Sequence, residues 1–184
     1  MSQYVIRGRG CLNGANIAAV MEALSLQKPL LVCGGRMAQF FRSRTGMNWP
    51  VFSGYHPNPD LADSEAGADM YRAEGCDGLI SVGGGSAMDT AKAVKALLLA
   101  GDMARVKASD MPQDVWLPHI AIPGTAGTGS EATPFAVVYV DGRKLSLDHP
   151  ALLPEAVLLD GSLLTTLPEY HRKACAMDGA IIAK

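Results

Sequence analysis

The sequence predicts an α/β domain of the Rossmann-like type, in which helices cover both faces of a parallel sheet. Three observations support this prediction. Short apolar runs of strand length alternate along the chain with longer segments of helical periodicity. Glycine-rich turns directly follow several of the apolar runs. The chain has 184 residues, 48% of them hydrophobic, which is enough for one sizeable core.

The predicted strands are short and largely apolar, as is typical of strands that are buried on both faces. In chain order they cover residues 30–33, 51–52, 78–82, 119–122, 135–140 and 156–159. The first of these ends at Gly34, and the third ends in the glycines that begin at Gly83.

The helices are predicted from apolar residues that recur every three or four positions. They cover residues 16–26, 37–42, 61–74, 86–100 and 167–183. The clearest is residues 86–100, in which Ala87, Ala91, Val94, Leu97 and Leu98 form one broad apolar face. Residues 101–118 are predicted to form a polar loop.

Charge and composition exclude several classes of protein. The net charge of −2 argues against a nucleic-acid partner, and no apolar run reaches 18 residues, which argues against a membrane span. The first residues show no secretory signal, so a cytoplasmic location is expected. Four scattered cysteines, with no C-x-x-C pair, are predicted to be reduced and mostly buried thiols. They are Cys11, Cys33, Cys76 and Cys175.

The strongest local feature is a strand, then Gly83-Gly84-Gly85-Ser86, then a helix. Backbone N–H groups at a helix N-terminus bind phosphate, and glycines let the backbone approach it closely. An alternative needs no ligand: the glycines make a tight turn, and Ser86 with Asp89 forms a capping box. Because a carboxylate repels a pyrophosphate, Asp89 is expected to cap the helix or to accept a hydrogen bond from another part of a ligand.

A second loop, residues 124–131, follows the strand at 119–122 and holds glycines and hydroxyl side chains. Such a loop offers hydroxyl and N–H donors to a ligand at the carboxyl end of a strand, although an ordinary polar turn has the same composition. Because both loops follow parallel strands, we expect them to line one shared crevice.

These two loops, with further stretches along the whole chain, resemble the iron-containing (group III) alcohol dehydrogenases. That family belongs to a superfamily with glycerol dehydrogenase and dehydroquinate synthase. The matching residues are Phe52–Gly54, Pro57–Pro59, Gly75–Asp77, Gly83–Ser86, Asp89, Lys92, Ala126–Glu131, Thr133, Lys144, Pro150–Pro154, Asp160, Leu167–Pro168 and Met177–Asp178.

The resemblance implies the N-terminal NAD(P)-binding domain of a dehydroquinate synthase-like fold. It implies that Gly84, Gly85 and Ser86 hold the pyrophosphate, with Asp89 beside the cofactor. It further implies that Thr125 and Thr128 lie along the phosphates and nicotinamide, that Lys144 reaches a ribose, and that Asn58 lines the cleft. In the family, iron or zinc polarises the alcohol oxygen while hydride passes between substrate and nicotinamide.

The sequence departs from the family pattern after the first predicted strand. NAD-preferring relatives carry an acidic residue there, which takes the ribose hydroxyls, whereas this chain has Gly34, with Arg36 two residues later. A missing carboxylate and a nearby guanidinium suit a 2′-phosphate, so we expect NADP to be favoured over NAD. The alternative is that Arg36 is simply a solvated helix residue.

A second departure concerns the metal site. The family pattern places a His ligand four residues after the Asp ligand, but here Asp178 is followed by Ile182. His171, Cys175 and Asp178 share a helical spacing, yet a substitute site there is not favoured. His56 is predicted to have no base partner, and the chain is expected to hold a partial metal site at best.

The domain organisation expected from the resemblance is a cofactor domain over residues 1–168, followed at 169–184 by the first helix of a truncated, helical metal-binding domain. The implied activity is hydride transfer between NAD(P)H and a small aldehyde or alcohol, with little turnover by this chain alone and with possible homo-oligomers. One alternative is a catalytically inactive nucleotide-binding module or partner subunit. A third hypothesis is a polyol dehydrogenase or a dehydroquinate-synthase-like lyase.

Overall fold

A computed structural model describes residues 3–108, 110–112, 115–165 and 167–182, with the side chains of residues 171 and 179–182 left undescribed. The strands are β1 (Tyr4–Arg7), β2 (Pro29–Val32), β3 (Val51–Phe52), β4 (Gly78–Gly83), β5 (His119–Pro123), β6 (Phe135–Val140), β7 (Arg143–Asp148) and β8 (Ala156–Leu159). The α-helices are α1 (Gly14–Ala23), α2 (Gly35–Thr45), α3 (Leu61–Glu74), α4 (Gly85–Ala100), α5 (Met103–Lys107), α6 (Gly161–Leu164) and α7 (Glu169–Ile182).

Six strands form one sheet in the order β1-β8-β5-β4-β2-β3, and every neighbouring pair in it is parallel. The predicted parallel sheet is therefore confirmed. Strands β6 and β7 lie outside it as an antiparallel hairpin. That hairpin packs on α4, which places it on the same side of the sheet as the longest helix.

The order of the strands creates a switch point between β2 and β4. From β2 the chain passes through α2 to β3 at one edge, whereas from β4 it passes through α4 to β5 in the opposite direction. In open α/β sheets, ligands bind at such a point, beyond the carboxyl ends of the strands.

Helices cover both faces of the sheet because successive strand residues point to opposite sides. Leu30 and Leu79 belong to a core with α3 and α4, together with buried residues of the hairpin. Leu31 and Ile80, one position later in each strand, belong to a second core with α1 and α2. The two helices that begin beside the switch point, α2 and α4, thus lie on opposite faces.

Several elements differ from the sequence-based expectations. Strands β1 and β7 and helix α6 were not predicted, and the expected polar loop after residue 100 contains α5. Strand β7 is hard to detect because its sequence is mostly polar, and Leu147 is its one residue classed as buried. Helix α5 has five residues, and its N-cap Asp102 accepts a hydrogen bond from the N–H of Arg105.

Two further observations concern the helices and the cysteines. None of the helices in the described part of the chain is long and apolar enough to cross a bilayer. All four cysteines are free thiols, and three of them are buried.

Candidate functional site

The loops after β4 and β5 meet at the carboxyl edge of the sheet. Gly83 pairs with Pro123 in the strand register, and the N–H of Gly124 donates to the carbonyl of Gly83 over 2.7 Å. A Cβ atom on Gly84 would lie 3.3 Å from both Cγ2 and Oγ1 of Thr125. A Cβ on Gly85 would lie 3.3 Å from Cγ2 of Thr128. The structure therefore brings these predicted site residues together, as expected for a shared crevice.

Helix α4 begins without a side-chain cap. Its N-cap is Gly84, in an extended conformation, and no side chain accepts a hydrogen bond from the first turn. The alternative of a capping box formed by Ser86 and Asp89 is therefore not what the structure contains. The carboxylate of Asp89 instead accepts from Ser130 Oγ over 2.9 Å and from the N–H of Val137 over 3.3 Å. The N–H groups of Ala87 and Met88 donate to the Gly84 carbonyl, which leaves the N–H groups of Gly85 and Ser86 available for an anion.

A comparison among the helices makes the missing cap informative. Side-chain oxygens of Asn13, Asp60, Asp102 and Asp160 cap α1, α3, α5 and α6 respectively. The N-caps of α2 and α4 are glycines without a side-chain bond. These two helices start at the carboxyl ends of β2 and β4, on either side of the switch point. Two positive helix ends thus face the same crevice.

Thr125 carries the most direct sign of a missing ligand. Its Oγ1 is buried and has no hydrogen-bond partner in the structure. An unpaired buried hydroxyl costs about 1–3 kcal/mol in proteins. Ser64 and Ser162 also have one among the described residues, but the Thr125 hydroxyl is the one that lies beside the start of α4. The hydroxyl lies beside Gly84, where any larger residue would crowd it. A ligand phosphate or amide at this position would supply the absent partner.

Asp89 links α4 to the segment that follows the loop of residues 124–129. Burial raises the pKa of Asp89, while the hydrogen bonds from Ser130 and Val137 and the nearby Lys92 ammonium oppose that rise. The side chain is only partly exposed, and both of its carboxylate oxygens already accept hydrogen bonds from protein groups. Its contact with a cofactor stays a prediction.

Lys92, one turn further along α4, was not assigned a role from the sequence. The residue is fully buried, and its Nζ donates to the carbonyls of Ser130, Thr133 and Phe135 over 2.6–2.8 Å, with Ser130 Oγ at 3.2 Å. Burial lowers its pKa to about 8, against the opposing effects of Asp89 and Glu131. The available signal was a lysine within a helix whose sequence, GSAMDTAKAVKALLLA, is mostly apolar.

Gly34 and Arg36 lie at the start of α2, where the resemblance implies the adenosine ribose. Both are exposed, and a Cβ on Gly34 would meet no atom within 4 Å. The space beside this helix end is therefore open. Below it lies Tyr55, whose pKa is raised to about 12 by burial and by the neighbouring Cys33, while the backbone of Gly34 opposes the rise.

Asn58 and Lys144 take no part in the crevice contacts described above. Asn58 is exposed in the loop after β3 and adopts a left-handed conformation with φ of +59°. Lys144 is exposed on β7 and lines a surface cavity of about 530 Å³ with Lys107 of α5 and residues of the hairpin turn. Their contribution to cofactor binding stays a prediction.

His56 corrects another expectation. It was predicted to have no base partner, but its Nδ1 lies 2.9 Å from a carboxylate oxygen of Asp63 on α3. Burial tends to raise the pKa of Asp63, but hydrogen bonds and charge from His56 outweigh it and lower that pKa. Two further histidines have structural roles. His119 is fully buried against Ser81, and His149 accepts from the N–H of Ala151.

The described side chains do not assemble a metal centre. Within the described residues, no group of three or more His, Cys, Asp or Glu side chains could hold a metal ion. Asp178 is exposed on α7, whereas the side chains of His171 and Ile182 lie outside the described residues. The described side chains therefore do not form the iron or zinc site that the resemblance implies.

Comparison with known proteins agrees with this geometry. Residues 2–161 match the sequence profile of iron-containing alcohol dehydrogenases. The chain is 34% identical to 4-hydroxybutyrate dehydrogenase of Cupriavidus necator over 175 residues, which are 85% of this chain and 44% of that protein. It is 32% identical to choline dehydrogenase of Bacillus subtilis, over 90% of this chain and 44% of that protein.

Among solved structures, the chain superposes on sulfoacetaldehyde reductase from Bifidobacterium kashiwanohense, which was determined in complex with NAD⁺. The TM-score is 0.84 at 29% identity, and the match covers 96% of this chain and 49% of that one. The chain therefore spans less than half the length of these relatives.

Proposed function

Because this chain belongs to the iron-containing alcohol dehydrogenase family, we propose that its crevice binds a nicotinamide dinucleotide and serves hydride transfer between an alcohol and an aldehyde. The observation that carries the proposal is the buried, unpartnered Oγ1 of Thr125 beside the uncapped N-terminus of α4. A pyrophosphate would supply the acceptor that both features lack.

The residues that would hold this cofactor fit its chemistry. The N–H groups of Gly85 and Ser86 would donate to the pyrophosphate, and Gly84 leaves room for its approach. Thr125 and Thr128 would donate hydroxyl hydrogen bonds from the facing loop. When bound, the nicotinamide supplies or accepts the hydride, and the protein contributes its orientation and the exclusion of water.

We also propose that the chain favours NADP over NAD. The N-terminus of α2 has no side-chain cap and is open to solvent. Gly34 carries no carboxylate, and Arg36 lies in the first turn of the helix. An anion such as a 2′-phosphate suits this environment, whereas a bare ribose gains no carboxylate partner. Tighter binding of NADH than of NADPH would contradict this preference.

The substrate class is proposed from the family. The matched relatives are named for 4-hydroxybutyrate and choline, both of which carry an alcohol group. We propose a small alcohol or aldehyde for this protein, with residues 1–168 as the cofactor domain. Residues 169–184 would begin a metal-binding domain. The described side chains of α7 are mostly exposed, which suits a helix that packs against further protein in such a domain.

A second candidate function is a nucleotide-binding module without dehydrogenase activity. The observation that favours it is the absence of a metal-binding group among the described residues, together with Ile182 where the resemblance implies a histidine. Both candidates predict nucleotide binding, and little turnover by the 184-residue chain alone is compatible with each, so robust metal-dependent turnover is the outcome that separates them.

The test uses the 184-residue chain. Fluorescence titration with NADH and NADPH measures binding, and we expect saturable binding of both with a lower Kd for NADPH. A panel of aldehydes with NADPH and added iron or zinc then measures turnover, which we expect to be little or none. Absence of nucleotide binding would refute the proposed function, and robust metal-dependent turnover would refute the inactive module.

A further inference from the structure

We propose that Lys92 is a positioning residue, which sets the nucleotide affinity of the crevice by holding the segment 130–135 against helix α4. The inference rests on the proposed nucleotide-binding function and adds a residue to it. Lys92 would not touch the nucleotide. It would act through the hydroxyl loop, residues 124–129, by fixing where that loop ends.

The hydroxyl loop is anchored at both ends and free of regular structure between them. At its start, the N–H of Gly124 donates to the carbonyl of Gly83. At its end, Ser130 accepts from Lys92 Nζ through its carbonyl and donates from Oγ to Asp89. Between the anchors, Gly127 and Gly129 have φ of +142° and +63°. The positions of the two threonine hydroxyls therefore depend on these anchors.

Lys92 is the larger part of the second anchor. Its ammonium lies within hydrogen-bond distance of four oxygens, three of which are backbone carbonyls spread over residues 130 to 135. The ammonium is the hydrogen-bond donor to these carbonyls, so its removal would take a donor from three carbonyls, of which the Ser130 carbonyl is buried and the other two are partly buried. The charge also faces Asp89 and Glu131, both of which favour the protonated form. A neutral side chain of similar length would keep the packing and lose this tether.

The same helix offers a matched control in Lys95. This lysine is also buried on α4, but it pairs with Glu155 over 2.7 Å. Glu155 precedes β8 and also accepts from the N–H of His119 at the start of β5, so it lies at the amino edge of the sheet. The crevice is at the carboxyl edge. Loss of Lys95 therefore removes a buried charge from α4 without loosening the hydroxyl loop.

The first experiment compares Lys92→Met with Lys95→Met. Both variants lose a buried ammonium, so both are expected to unfold at a lower temperature. NADH affinity is measured by fluorescence titration well below each unfolding midpoint. We expect the Kd of K92M to rise at least 10-fold and that of K95M to stay within about 2-fold of the unmutated chain. Equal shifts in the two variants, or unchanged affinity in K92M, would overturn the proposal.

A milder pair of variants covers the case in which K92M does not fold. Ser130→Ala removes the hydroxyl that joins Asp89 to Lys92 and leaves the three carbonyl bonds in place. Ser81→Ala removes another buried hydroxyl, which contacts His119 over 2.8 Å. We expect S130A to raise the Kd for NADH about 3- to 10-fold, less than K92M because the carbonyl bonds remain, and S81A to leave it unchanged. The reverse order would overturn the proposal.

A readout without ligand separates this inference from the proposed function. Hydrogen exchange is measured on peptides that cover residues 128–140 in the ligand-free proteins. We expect faster exchange there in K92M than in K95M, because the tether is broken only in the former. If the unmutated chain binds no nucleotide, the proposed function fails, and this exchange comparison still decides whether Lys92 holds the loop. Equal exchange in both variants would refute the tether itself.

Discussion

Replacing Thr125 with valine should change stability and nucleotide affinity in opposite directions. Valine keeps the shape of threonine and exchanges the hydroxyl for a methyl group. The hydroxyl oxygen is buried without a hydrogen-bond partner, and it lies beside Gly84 at the start of α4. In the ligand-free chain it therefore pays a desolvation cost with no compensating bond. With nucleotide bound, the same hydroxyl would gain an acceptor.

The two effects can be estimated separately. An unpaired buried hydroxyl costs about 1–3 kcal/mol, and we expect Thr125→Val to recover about 1 kcal/mol of that in the ligand-free protein. For a chain of this size, 1 kcal/mol corresponds to a rise of about 2–4 °C in Tm. A hydrogen bond to a charged phosphate is worth about 1.5–3 kcal/mol, so its loss should raise the Kd about 10- to 100-fold.

Thermal unfolding and NADH titration of the same samples measure both quantities. Ser64→Ala is the matched control, since Ser64 Oγ is also buried without a partner but lies on α3, in the helix layer rather than the crevice. We expect S64A to change stability by a similar amount and to leave the Kd unchanged. A Thr125→Val chain that is less stable and binds NADH as before would show that the hydroxyl already has a partner without nucleotide, and would refute the reasoning.

Three further predictions follow from single sites. Gly84→Ala should change stability by less than about 1 kcal/mol, because the φ of −82° at this position suits alanine. It should nevertheless raise the Kd for NADH about 10-fold or more. Gly161→Ala is the control: a Cβ there meets open space, and the Kd should not change. Gly34→Asp should cap α2, raise the free energy of unfolding by about 1 kcal/mol and shift the preference from NADPH towards NADH. The ratio of the Kd values for NADPH and NADH tests the shift, and an unchanged ratio would count against it. For Asp160, burial tends to raise the pKa, but hydrogen bonds from Leu12, Gly10 and Ser162 outweigh it and lower that pKa. The stabilisation is therefore present above about pH 4 and lost as the pH falls through the lowered pKa. Asp160→Asn should be about 2 kcal/mol less stable at pH 7 in denaturant unfolding, and this difference should shrink in acid; a constant difference would contradict the assignment.

The elements that the sequence predicted well are those with strong local signals. Helix α3 begins and ends at the predicted residues, because Asp60 caps its start and Gly75 ends it in a left-handed conformation. Strands β6 and β8 also match their predicted bounds. The edge strand β1 was missed, since it is half exposed and has four residues. The hairpin partner of β6 was missed because its exposed face is charged.

Errors at the candidate site came from contacts between residues that are distant in sequence. The pattern of Ser86 and Asp89 suits a capping box, yet Asp89 turns to Ser130 and Val137, which are 41 and 48 residues away. Lys92 likewise finds its acceptors 38 to 43 residues downstream. A local sequence pattern indicates which contacts a side chain can make with residues within about one helical turn. It does not indicate contacts with residues that are distant in sequence and lie nearby only in the folded structure.

The distribution of helix caps is the feature that sequence could have supplied and that most constrains the ligand. A side-chain cap stabilises a helix by about 1 kcal/mol, and this chain places an Asn or Asp oxygen at the start of four helices. At α2 and α4 it has glycine instead, and both helices begin at the switch point. Forgoing that stabilisation at two adjacent helix ends leaves two sets of N–H donors for one ligand. A dinucleotide with a pyrophosphate and a second anionic group would satisfy both ends, which is the physical basis of the preference for NADP proposed above.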